Sequence, residues 1–220
     1  MKTILLMALK RHIWINPISS SIMFFIGTFR KSQKRRMLFL DIDGTIWEDH
    51  GPGTIFKRPK SNPETLKAVK EARRRGFSII IITNQTYFCY QDKLFSKDLI
   101  RYFTLMTSLV FRLRATALLV CHHHPDSNFS SLRFDCLCRK PSPKMLEDLR
   151  AIIPFDSDNS IFVGDRITDA ACATLSGINN IFLVKNSRML ERNIQGSTVL
   201  PKYLIFSLIQ DNNSNSFIFE

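Results

Sequence analysis

Apolar residues come in short runs at 37–42 (broken by Asp41), 77–82 (by Ser78), 115–120 (by Thr116), 161–164 and 181–184. Continuous apolar runs of this length fit strands covered on both faces, as in parallel sheets. The stretches between them carry helix punctuation. Ser61-Asn62-Pro63-Glu64 offers a polar cap, then a first-turn proline and acid. Arg73-Arg74-Arg75-Gly76 ends that helix on cations followed by glycine. Further helices are predicted from about 92 to 114, at 143–152 and at 168–175. Strands alternating with helices predict βαβ units, hence an α/β fold built on a doubly wound parallel sheet. Such sheets bind ligands at the carboxyl ends of their strands.

Residues 1–36 do not share this pattern. Positions 13–29 run seventeen residues without a charge, are flanked by basic clusters, and include Asn16, Pro17 and three consecutive serines. Three readings stay open for 1–36: a weak membrane or signal anchor, a basic targeting segment, or an extension not needed for folding, with Met37 near the start of the domain. The expected organisation is therefore an extension over 1–36, a domain over 37–185 and a tail over 186–220. That tail holds an apolar run at 203–209 and a polar stretch at 211–216.

Charge changes the picture little. Of the net +12, residues 1–36 hold +8, with eight Lys or Arg and no acid, which leaves +4 for the rest. The basic balance therefore describes mainly the extension and does not argue for a nucleic-acid partner. Five cysteines, an odd number with three near histidines, point to metal chemistry in a reducing compartment rather than a disulfide framework. A cytoplasmic, monomeric protein is expected.

Chemistry begins where the first run ends, at Asp41-Ile42-Asp43-Gly44-Thr45. Two acids two positions apart share one side of an extended chain, and Gly44 permits a sharp turn and a close ligand approach. Paired carboxylates call for a cation, most simply Mg²⁺ with its preference for oxygen ligands. An Asp-Gly turn after a strand is the plain alternative. Three more polar clusters stand at strand ends or just beyond: Thr83-Asn84-Gln85, Arg139-Lys140-Pro141, and 164–169 with Asp165, Arg166 and Asp169.

In this order the four clusters resemble the haloacid dehalogenase superfamily of phosphotransferases, over about residues 37–185. The resemblance implies that Asp41 is the nucleophile and Asp43 the general acid, then the general base. It further implies that Thr83 and Lys140 hold phosphoryl oxygens, and that Asp41, the carbonyl of Asp43, and Asp165 bind Mg²⁺. Asp169 receives only a supporting role.

A second signal is Cys121-His122-His123-His124-Pro125 followed by Cys136-Leu137-Cys138, in a loop over 121–140. Three thiolates and an imidazole make a closed, structural zinc site; buried thiols beside a chance histidine run are the alternative. The spacing resembles the superfamily branch of the D-glycero-D-manno-heptose 1,7-bisphosphate and histidinol-phosphate phosphatases. That match makes Cys121, His123, Cys136 and Cys138 the ligands, with the choice among His122, His123 and His124 taken from alignment. It also implies substrate contacts from Asp49, His50, Asn84, Arg139 and Arg166. The loop at 86–91 departs from the branch, being aromatic and without a cation; packing against the following helix is expected of it. No insertion is long enough for a large cap domain.

The expected activity is thus Mg²⁺-dependent phosphate removal from a small phosphorylated metabolite, a sugar phosphate or histidinol phosphate. Two competing readings are a nucleic-acid 3′-phosphatase and a catalytically silent, zinc-stapled binding module. Membrane contact through 1–36 is a further, weaker expectation.

Overall fold

The computed structural model describes residues 35–49, 60–92 and 96–185, with the strand backbones at 11–15, 22–26 and 197–201. Elements in chain order are β1 (Arg11–Ile15), β2 (Ile22–Ile26), β3 (Met37–Leu40), α1 (Pro63–Arg74) and β4 (Ser78–Asn84). There follow α2 (Ser96–Leu113), β5 (Ala117–Cys121), α3 (Lys144–Ile152), β6 (Ile161–Gly164), α4 (Ile167–Leu175), β7 (Asn180–Lys185) and β8 (Ser197–Pro201). A short 3-10 turn, Tyr87–Tyr90, lies between β4 and α2.

The strands form one sheet in the order β1-β2-β5-β4-β3-β6-β7-β8. Pairing is parallel from β5 across to β8, and antiparallel for β1 with β2 and β2 with β5. β3 is central. From it the chain moves outward through β4 and β5, then returns to β6 on the other side of β3. That reversal makes the carboxyl end of β3 the switch point, where α/β sheets open a crevice for ligands.

The five predicted parallel strands and four helices are all present. β4 runs to Asn84, two residues past the apolar run, because Thr83 pairs with Val120 and Asn84 with Cys121. Three strands lie outside the predicted set. β1 and β2 extend the sheet from within the segment read as an extension, and β8 lies in the segment read as a tail. The runs at 203–209 and 211–216 lie outside the described residues, as does His50.

Period-two alternation divides the core into two layers. Leu38, Leu40, Ile79, Ile81, Leu118, Val120, Ile161 and Val163 belong to one cluster with residues of α1 and α2. Met37, Phe39, Ile80, Ile82, Ala117, Leu119 and Phe162 belong to the other, with residues of α3 and α4. Phe39 stacks on Phe162 at 6.0 Å and meets Phe155 edge-on at 5.2 Å. α1 starts as read: Asn62 Oδ1 accepts from the Glu64 backbone N–H at 3.1 Å, with Pro63 following. The 3-10 turn packs inward, Phe88 meeting Tyr102 of α2 edge-on at 4.9 Å. Cys89 and Cys172 are buried free thiols. Among the described residues no helix is long and apolar enough to cross a membrane.

Candidate active site and metal centres

The site is assembled at the end of β3. Asp41 continues the pairing with β6 by one bond, its N–H donating to Val163 O at 3.0 Å. The chain then turns: the N–H groups of Thr45, Ile46 and Trp47 all converge on Ile42 O. Gly44 makes the turn at φ +80°, and a Cβ there would fall 2.2 Å from Asp165 Oδ2. Gly164 makes the same allowance for Asp169, 2.4 Å from where a Cβ would sit. Two missing side chains thus let two carboxylates close on the end of the central strand.

Lys140 arrives from 99 residues away. Asn84 clamps its backbone from both sides, Oδ1 accepting from Lys140 N–H and Nδ2 donating to Lys140 O, each at 3.1 Å. The ammonium has three protons and three acceptors: Asp41 Oδ1 at 2.7 Å, Asp169 Oδ1 at 2.5 Å and Ile82 O at 3.1 Å. Burial works against the charge on Lys140, but Asp169 and Asp41 outweigh it and hold the pKa above the usual lysine range.

The carboxylates shift the other way. Asp41 is pushed up to about 8, first by burial and then by Asp169 and Asp43, against the pull of Lys140. Burial also raises Asp43, opposed by a hydrogen bond from Gln85. Asp165 is pushed up to about 6 by burial and by Asp169. Its Oδ1 is buried with no hydrogen-bond partner among the described residues. Asp41, Asp165 and Asp169 can each bring an oxygen within 4.8 Å of the others. An orphaned oxygen in a set of hard oxygen donors fits a divalent cation such as Mg²⁺.

The structure also separates expected roles. Thr83 is buried and accepts from Gln85 Nε2 at 3.0 Å, while Asn84 spends its amide on Lys140. Arg139 donates to His123 O at 3.2 Å. Asp49 and Arg166 form an ion pair of 3.1 Å on the rim. Asp169 does more than a supporting role suggests: besides Lys140, it accepts from the N–H groups of Asp165 and Arg166. Gln85 stands in the second polar cluster of the sequence without a role of its own, yet its Nε2 donates to Asp43 Oδ2 at 2.6 Å. The signal was there, since positions 83 and 85 share one side of an extended strand end.

Cys121, His123, Cys136 and Cys138 form the second cluster, their ligand atoms all within 4.8 Å. Four of the separations are 3.4 Å (Cys121–Cys136), 3.3 Å (Cys136–Cys138), 3.4 Å (His123–Cys138) and 3.9 Å (Cys121–His123). Bonds of about 2.3 Å in a tetrahedron give edges of about 3.8 Å, so the set fits zinc. The neighbouring histidines are engaged elsewhere: His122 Nδ1 with Gln85 O at 3.2 Å, His124 Nδ1 with Asp126 N–H at 3.1 Å. Hydrogen bonds from Cys121 and Cys138 hold Cys136 well below the usual thiol range, while the contact with Cys136, together with burial, pushes Cys121 up to about 12 against the pull of Cys138.

Residues 137–209 match the HAD-hydrolase-like family model. The D-glycero-β-D-manno-heptose-1,7-bisphosphate 7-phosphatase of Photorhabdus laumondii is 30% identical over 154 residues, covering 69% of this chain and 81% of that protein. Among solved structures, a protein assigned as a HAD-like phosphatase from Mesorhizobium loti superposes with TM-score 0.70 at 22% identity, over 90% of this chain and 97% of that one. The D,D-heptose 1,7-bisphosphate phosphatase from B. bronchiseptica, solved with magnesium and phosphate, gives TM-score 0.61 at 22% identity, over 80% and 99%.

Proposed function

Because the chain belongs to the HAD-like hydrolase family and is a phosphatase, we propose that it is a magnesium-dependent phosphomonoesterase working through an aspartyl-phosphate. Its substrate in this reading is a phosphorylated sugar of the heptose bisphosphate kind for which its relatives are named. The observation that carries the reading is Asp41, buried at the switch point and touching Lys140 at 2.7 Å, with Asp43 two residues on.

In the first step an Asp41 carboxylate oxygen bonds to phosphorus and the ester P–O bond breaks. Asp43 gives its proton to the departing sugar oxygen. In the second step Asp43 takes a proton from water, whose oxygen attacks phosphorus and releases inorganic phosphate and the Asp41 carboxylate. Lys140 and the Thr83 hydroxyl hold the phosphoryl oxygens. Asn84 and Asp169 keep Lys140 in place through the contacts described above. Mg²⁺ held by Asp41, Asp165 and the Asp43 carbonyl would neutralise charge between two anions that otherwise repel. Zinc on Cys121, His123, Cys136 and Cys138 would stiffen the loop that delivers Arg139 and Lys140.

Tyr87 and Phe88 pack inward, so these rings of the 86–91 loop are not offered to a nucleic-acid base. In this reading the exposed pair Arg166 and Asp49 contacts a sugar hydroxyl or the second phosphate. The test is phosphate release by the full chain, zinc-loaded and with Mg²⁺, from heptose 1,7-bisphosphate in both anomeric forms and from histidinol phosphate. Turnover of a heptose bisphosphate that is lost in Asp41→Asn supports the reading. Turnover of histidinol phosphate alone would overturn the substrate, and turnover retained in Asp41→Asn would overturn the nucleophile.

A further inference from the structure

Gln85 sits where the two metal-binding regions meet. Its backbone is held on both sides by the start of the Cys/His loop: N–H donates to Cys121 O at 2.8 Å, and its carbonyl faces His122 Nδ1 at 3.2 Å. A carbonyl can only accept, so His122 carries its proton on Nδ1. Cys121 and His123, which flank His122, both belong to the Cys/His cluster. The Gln85 side chain points the other way and is 4% exposed. Its two amide protons are both used, on Asp43 Oδ2 at 2.6 Å and on Thr83 Oγ1 at 3.0 Å.

This arrangement commits one oxygen of Asp43. The bond from Gln85 fixes Oδ2 as the anchor, and in the phosphatase reading Oδ1 is then the oxygen that exchanges the proton with the leaving group. A neutral amide donor can orient the carboxyl whether or not it carries the proton. Thr83 Oγ1, accepting from Gln85, keeps its own proton for a phosphoryl oxygen.

We infer that Gln85 is a positioning residue for Asp43, fixing which oxygen exchanges the proton and tying that geometry to the loop held by the Cys/His cluster. The inference rests on the phosphatase reading, in which Asp43 is the acid and then the base. A buried Gln that merely fills space would make the same contacts, and the leaving group separates the two cases. A sugar alkoxide needs a proton as it departs, whereas 4-nitrophenolate does not.

The experiment compares full-chain, zinc-loaded protein with its Gln85→Met variant, with Mg²⁺, by rapid quench on 4-nitrophenyl phosphate and on a sugar phosphate. Zinc content and melting temperature are checked alongside. With 4-nitrophenyl phosphate the variant should release one nitrophenolate per enzyme, slowed only by what the lost Thr83 contact costs both substrates alike, and then turn over slowly, because only the second step needs Asp43. With the sugar phosphate the first turnover should slow about 10²-fold, the low end of what a general acid contributes. Gln85→Asn keeps a buried amide but is too short to reach Asp43, so it should show the same selective loss even if the Met variant does not fold. First-turnover rates with no greater fall for the sugar phosphate than for 4-nitrophenyl phosphate overturn the inference. If the parental protein hydrolyses neither substrate, the phosphatase reading itself fails and takes the inference with it.

Discussion

Asp165 fills the space that a side chain on Gly44 would need: a Cβ there would lie 2.2 Å from Asp165 Oδ2. The turn after the nucleophile and the acidic residue after β6 are therefore fitted to each other, although 121 positions separate them. Gly44→Ala should push Asp165 away and also strain the backbone at φ +80°, a left-handed conformation costing roughly 1–2 kcal/mol for a non-glycine residue. The expected outcome is a folded protein that needs far more Mg²⁺ for half-maximal phosphate release. An unchanged Mg²⁺ requirement would contradict it.

Lys140 is the counter-charge for two buried acids. Lys140→Met leaves Asp41 and Asp169 facing each other without it, and breaking a buried pair in this way costs about 3–5 kcal/mol. Urea unfolding of the variant should show a loss of that size, and phosphate release should vanish. Asp169→Asn should also slow turnover, because Lys140 loses a charged anchor, while the amide oxygen can still accept from the N–H groups of Asp165 and Arg166.

The raised carboxylates set a pH dependence. Asp41 moves from 3.8 to about 8 and Asp165 from 3.8 to about 6 on folding. Between the unfolded and folded values the native state keeps protons that the unfolded chain has lost. Stability is therefore full below about pH 4 for these groups and declines as pH rises through 6 and 8. In magnesium-free, zinc-loaded buffer the melting temperature should fall across that window, and Mg²⁺ should flatten the decline. Asp41→Asn should flatten its upper part. A melting temperature that rises from pH 5 to 8 without Mg²⁺ would contradict the assignment.

The Cys/His cluster makes a separate prediction. Cys136→Ser should lower bound zinc below the parental stoichiometry and lower the melting temperature, since a structural site contributes its binding free energy to folding. Activity should fall as well, because Cys138 and Lys140 are two residues apart and share the loop. Zinc stoichiometry unchanged in Cys136→Ser would rule the cluster out as the site.

The parts of the molecule legible in sequence were those written locally. Apolar runs marked all five predicted strands; Asp41, Thr83 and Asp165 stood out because each follows or nears a strand end, and Lys140 because it stands in a basic pair just before a helix. β1, β2 and β8 were not legible: their neighbouring sequence is basic, serine-bearing or irregular, and their strand character comes from pairing, β1 with β2, β2 with β5 and β8 with β7. The weight carried by Asp169 and Gln85 was hidden for a related reason. Their partners, Lys140 and Asp43, lie 29 and 42 residues away, and only the fold brings them within hydrogen-bond distance.

The central claim is that phosphorus is passed to Asp41. The most direct measurement is an acid quench of the full chain, with Mg²⁺, during turnover of a phosphorus-labelled phosphomonoester, followed by mass spectrometry of its peptides. The account predicts label on the peptide containing Asp41, chased to inorganic phosphate on further incubation and absent in Asp41→Asn. Label on another residue, or phosphate release by Asp41→Asn at the parental rate, would contradict it.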